Sequence, residues 1–254
     1  MRISLLALIG WRAQPKRVEK NMIAHRFSII AFVLAVGFLT AISNAAWSAP
    51  TERGGSDKAL LKAGVLVSRD LPKGWASRSV SLGSTNALQG VAGCEEQSAA
   101  LALDQRRAPS RSFYDPATPE GAFTSQASNL VRVFKNSALA DQFLSAYKAG
   151  TAAACLHQTN EDEFKRRNPS ATIAVTDFTP VSGLDTIGDD TVGYAATITA
   201  STSEQSMMTG PLDLIYVRVG RAVLGFKFGV QSQGVPQLAD IIRHPVQRVE
   251  KAQR

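Results

Sequence analysis

The chain has 254 residues, 44% of them hydrophobic and 19% charged, a balance that fits a folded globular protein of one large domain or two small ones. Its formal charge of +7 belongs largely to residues 1–45, which hold six bases (Arg2, Arg12, Lys16, Arg17, Lys20, Arg26) and one acid (Glu19). Beyond them 22 bases face 20 acids, and the short basic runs Arg106-Arg107 and Lys165-Arg166-Arg167 lack interleaved aromatics, which argues against a nucleic-acid partner.

The first recognisable segment is a leader. Phe27 to Ile42 is an uncharged apolar run of sixteen residues, preceded by His25-Arg26 and followed by Ser43-Asn44-Ala45. Small residues at 43 and 45 fit the −3 and −1 positions of a signal-peptidase site, so residues 1–45 are expected to be a secretion signal. Met1 to Asn21 is long for the charged region of such a signal, and Met22 is an alternative true start. Sixteen residues fall short of the roughly 20 that span a bilayer, and contact with the membrane is expected only if the leader stays uncleaved. Residues 46–55 read as a flexible leader, and 56–254 as a single α+β domain.

Within that domain, Ser56 caps a short helix whose apolar positions run to Val67, with Gly64 weakening it. Asp70-Leu71-Pro72-Lys73-Gly74-Trp75 is a turn delivering an aromatic, and Ala76 to Leu82 is a candidate strand. A helix carrying Cys94 follows and continues through Leu103. Ala122 to Lys135 is extended, and Ser137 caps a helix with Leu139, Phe143 and Tyr147 inward. Alternation then marks strands at Ile173–Phe178 and Val192–Thr199. Leu212–Val219 and Ala222–Val230 flank Gly220-Arg221, a two-residue turn suited to a type II′ hairpin. These last strands are apolar on both sides, as strands covered on both faces are. Pro236 opens a final helix expected to be interrupted near Pro245.

Cys94 and Cys155 are the two cysteines of the chain. An even pair in an exported protein reads most simply as one disulfide, here joining two helices.

The opening helix with Asp70 to Trp75, a Cys on the next helix, Val131-Arg132-Val133-Phe134 before a helix leading to the second Cys, Ile187-Gly188-Asp189-Asp190 before a strand, and the hairpin Val217 to Val223 recur in a particular order. Together they resemble the secreted sensor-type domains of actinobacteria, including the extracellular domain of a mycobacterial receptor serine/threonine kinase and related small exported proteins. The resemblance implies a curved, mostly antiparallel sheet flanked by helices, with a groove for an unidentified ligand. This chain lacks the kinase domain and has cysteines for one disulfide where that domain has two.

Catalytic patterns are sparse. Gly-x-Ser-x-Gly, phosphate-cradling and His-Glu-x-x-His motifs are absent from the sequence. Ser145-Ala146-Tyr147-Lys148 has the Ser-x-x-Lys spacing, but reads as an amphipathic helix. His157 and Glu161, four apart, could share a metal on a helix face, yet fit a self-paired charge run better. Asp189-Asp190 reads as a turn. Trp75, Phe113 and Tyr114 are candidates for lining a ligand groove. The expectation is a secreted or envelope-associated, non-enzymatic, sensor-like domain that binds a small molecule or envelope partner without a cofactor. The alternatives are an envelope hydrolase with an unrecognised site and a structural envelope protein.

Overall fold

The computed structural model describes residues 55–79, 88–117, 125–201, 207–229 and 235–254. The secretion signal, its cleavage site and Met22 lie outside them. Among the described residues, no helix is long and apolar enough to cross a membrane.

Helix α1 (Asp57–Gly64) starts at the Ser56 cap, whose hydroxyl accepts from the Ala59 N–H, and leads through a 3-10 turn (Ser68–Asp70) to strand β1 (Ala76–Arg78). Helix α2 (Glu95–Leu101) precedes β2 (Gln105–Pro109), β3 (Ser112–Tyr114) and β4 (Gln126–Phe134). Helices α3 (Ser137–Lys148) and α4 (Ala152–Arg167) follow, then β5 (Thr172–Val175) and β6 (Thr179–Pro180). The long strands β7 (Asp190–Ser201), β8 (Met208–Val219) and β9 (Ala222–Gly229) lead to α5 (Val235–Gln253).

The strands form one open sheet in the order β1-β3-β4-β9-β8-β7-β5, with β2 also on β4 and β6 also on β7. Every pairing is antiparallel. The expected α+β class with an antiparallel sheet flanked by helices is therefore the architecture found, and β8–β9 is the expected hairpin, with Gly220 at φ 53°.

Period-two alternation sends side chains to two separate cores. On one face Val131, Ile215, Val217, Leu224 and Phe226 pack against Leu60 of α1 and Ile242, Val246 and Val249 of α5. On the other, Phe134, Tyr194, Leu212, Leu214 and Val223 meet Phe143 and Tyr147 of α3 and Leu156 of α4. This two-sided cover explains why β8 and β9 read as apolar on both sides.

Three local features depart from the sequence reading. Helix α1 stops at Gly64, where a Cβ would stand 3.0 Å from both methyls of Val131 and 3.2 Å from Val249. The buried Asn129 of β4 then catches the helix end, donating to the Gly64 carbonyl (2.7 Å) and accepting from the Leu66 N–H (3.0 Å). Helix α3 is capped by Asn136, whose side chain accepts from the Leu139 N–H at 3.0 Å, and not by Ser137. Helix α5 continues through Pro245. A helix-interior proline costs about 3 kcal/mol, and the buried row Ile242, Val246 and Val249 on either side of it offsets that cost.

The Cys94–Cys155 disulfide is present, its sulfurs 2.05 Å apart. It ties the N-terminal cap of α2 to the first turn of α4, so the two helices over this face are joined covalently.

Candidate functional site

Six strands contribute to one face near their ends because each alternates in register with its neighbour. Ser128 of β4 stands opposite Lys227 of β9, Lys227 opposite Leu214 of β8, and Leu212 opposite Ala196 of β7. Gln126 shares that face with Tyr114 of β3, and Arg78 of β1 stands opposite Ser112. The C-terminal half of α4 covers this face, leaving a cleft of about 540 Å³.

The cleft has an apolar floor of Ile198, Pro211 and Leu212, and Phe164 of α4 forms part of its wall. Its rim is polar: Ser112, Gln126 and Ser128, with Arg78, Arg167, Lys227 and Glu163. Lys227 is the innermost charge. Its Nζ donates to Asn160 Oδ1 at 3.1 Å and Glu163 Oε2 at 3.4 Å, and lies 4.9 Å from the Phe164 ring centroid. Asn160 is itself held by donating to the Leu156 carbonyl at 2.8 Å. Burial lowers the Lys227 pKa below its ordinary 10.5, while the Glu163 carboxylate works in the opposite direction. Glu163 also pairs with Arg167 one helical turn on. Arg78 is exposed, donates to Gln126 Oε1 at 3.1 Å and lies 5.9 Å from the Tyr114 ring centroid.

A second hollow of about 470 Å³ lies beside α2, lined by Ser98, Leu101, Gln105 and Arg107 among others. It is lined by one strand, β2, where the first draws on six.

The residues singled out in the sequence scatter. Trp75 and Phe113 pack into the core on the α1–α5 side, away from the cleft. Tyr114 stands on the cleft face beside Arg78. The Ser145-x-x-Lys148 pair does not converge: Lys148 Nζ sits 2.5 Å from Asp190, and Ser145 is exposed on α3. Asp189 accepts from the Gly220 N–H at 2.5 Å and from Arg218 at 3.2 Å, which makes it a clamp on the β8–β9 turn. His157 Nδ1 lies 3.2 Å from the Thr176 carbonyl oxygen, and its ring is near both Glu161 (3.7 Å) and Asp177 (3.4 Å). Among the described residues, no group of His, Cys, Asp and Glu is arranged to hold a metal.

Sequence reasoning missed Arg78, Phe164, Arg167 and Lys227 because they come from three elements far apart in the chain. One signal was available. Lys227 is the single charge in Phe226-Lys227-Phe228, inside a strand otherwise apolar on both sides, so its side chain had to point toward something able to receive a cation.

The fold is that of an α+β protein with an open antiparallel sheet between two helical layers. No family model and no curated protein matches the chain. Among solved structures, the extracellular domain of PknH from Mycobacterium tuberculosis is similar at 14% identity with a TM-score of 0.37, covering 79% of this chain and 99% of that one. The likeness is distant and assigns neither ligand nor activity.

Proposed function

We propose that the chain is an exported, non-enzymatic binding domain whose ligand is a small molecule seated in the cleft under α4. The cleft carries the reading. Its volume of about 540 Å³ falls in the roughly 300–1,000 Å³ range of small-molecule sites, and it joins an apolar floor to a few convergent polar groups, as such sites do. The leader and the disulfide support export, since disulfides persist in oxidising compartments.

One observation favours a rival. Ser128 stands directly across the strand pair from Lys227, and a serine beside a lysine of lowered pKa is a nucleophile–base arrangement. The Lys227 amine, however, is directed to Asn160 and Glu163. Glu163 works against the loss of a proton that a base would need.

The test is native mass spectrometry of protein purified from its own host, with extraction and identification of any bound molecule. The expected result is one adduct per chain, lost in a Ser128→Trp variant that fills the cleft from a half-buried position. An adduct retained by that variant would place the ligand elsewhere. Labelling of Ser128 by a serine-reactive fluorophosphonate would favour the hydrolase.

A further inference from the structure

The cleft rim brings three cations, Arg78, Arg167 and Lys227, against one carboxylate, Glu163. That carboxylate is already divided between Arg167 and Lys227. Among the described residues, Arg78 has an amide oxygen and a ring as its partners. The described charged residues lining the cleft therefore sum to +2, and part of that charge is removed from water. The Lys227 side chain is 36% exposed and is held under α4 at a desolvation cost that its neighbours only partly offset.

Such an arrangement selects among ligands. A cation is repelled by the rim, and a neutral molecule leaves the excess charge uncompensated. A small inorganic anion satisfies the rim but leaves the half-buried Phe164 and Pro211 in water. A molecule with an anionic end and an apolar body satisfies both parts at once. Ser112, Gln126 and Ser128, lying between Arg78 and Lys227 across the sheet, supply neutral donors for further oxygens of the same head group.

Building on the binding role proposed above, we infer that the cleft takes an anionic amphiphile. Its carboxylate or phosphate head is held between Lys227 and Arg78, and its alkyl or aryl body lies on Phe164 and Pro211. Lys227 and Arg78 divide the work. Lys227 is half-buried and pre-positioned by Asn160, so it fixes the head; Arg78, exposed at the rim, draws the anion in and closes over it.

Isothermal titration of the intact secreted chain with three probes below their micellar concentrations tests this. They are octyl phosphate, inorganic phosphate as the head alone, and octyl glucoside as a neutral tail of equal length. Octyl phosphate should bind at least about tenfold more tightly than either control, a difference of about 1.4 kcal/mol. Its affinity should fall with added salt, and by about tenfold or more in Lys227→Met. Arg78→Gln, at the exposed last position of β1, should also weaken it and serves if Lys227→Met folds poorly. Equal binding of octyl glucoside overturns the inference, as does equal binding of inorganic phosphate, which would make free phosphate the ligand. Failure of all three to bind also overturns it. A neutral co-purifying adduct that Ser128→Trp removes would leave the binding role standing while refuting the anionic ligand.

Discussion

Arg248→Met should be among the most destabilising single changes in the domain. Asp70, the last residue of the 3-10 turn, is 5% exposed, and its carboxylate meets Arg248 of α5 through two bonds of 2.6 and 2.8 Å. The same guanidinium donates to the carbonyls of Ala63 and Val65 at 2.9 Å each. One side chain thus closes the end of α1, the turn before β1 and the last helix into one knot. Without it, the Asp70 carboxylate, whose side chain is 2% exposed, keeps the Val67 N–H at 3.0 Å as its hydrogen-bond donor. Leaving one charge of a buried pair alone costs about 3–5 kcal/mol, a large share of the roughly 5–15 kcal/mol that holds a domain folded. At about 2–4 °C per kcal/mol for a domain this size, the melting temperature should fall by about 6–20 °C. Asp70→Asn should cost less, about 1–3 kcal/mol, because Arg248 keeps its carbonyl acceptors and reaches water. Adding Asp70→Asn to Arg248→Met should recover stability by removing the stranded charge. Urea unfolding followed by circular dichroism measures all three. An Arg248→Met effect under about 0.5 kcal/mol, the size of an ordinary surface change, would refute the knot, as would a double variant no more stable than Arg248→Met.

Other outcomes follow from the same contacts. Replacing both Cys94 and Cys155 by Ser should cost roughly 4 kcal/mol on the chain-entropy model for their separation of 61 residues, and alkylation of the denatured, unreduced protein should label neither cysteine. Tyr147 and Tyr216, with ring centroids 4.3 Å apart, have pKa values raised above 10.0 chiefly by burial. Their contribution is complete below pH 10 and is lost as pH rises from there toward the folded-state values. The domain should therefore unfold in alkali, and Tyr216→Phe should shift that transition upward when followed by circular dichroism. Ser145→Ala and His157→Ala should each change stability by less than about 0.5 kcal/mol in the same urea assay and leave octyl phosphate affinity unchanged.

What the sequence revealed was what local pattern encodes. Alternation in Val192 to Thr199 and the apolar runs around Gly220-Arg221 fixed the central strands, and the two cysteines declared their own partner. The interruption expected at Pro245 failed because a local rule was set against a long apolar row that tertiary packing rewards. Aromaticity alone misdirected the search for a groove: Trp75 and Phe113 are large apolar side chains, and the α1–α5 core claims them. The cleft was hidden because register, not proximity in sequence, assembles it. Arg78, Ser128 and Lys227 meet only once β1, β3, β4 and β9 are paired, and Phe164 and Arg167 arrive on α4, which lies between β4 and β9 in the chain. Likewise Asp70 looked like a turn residue, and its buried partner lies 178 positions away.

Backbone chemical-shift mapping by nuclear magnetic resonance, as octyl phosphate is titrated into the folded protein, tests the central claim most directly. The account predicts saturable shifts concentrated at Gln126, Ser128, Phe164 and Lys227, reduced by salt and abolished by Ser128→Trp. Shifts gathered instead around Ser98, Gln105 and Arg107 beside α2, or spread evenly over the surface, would contradict it.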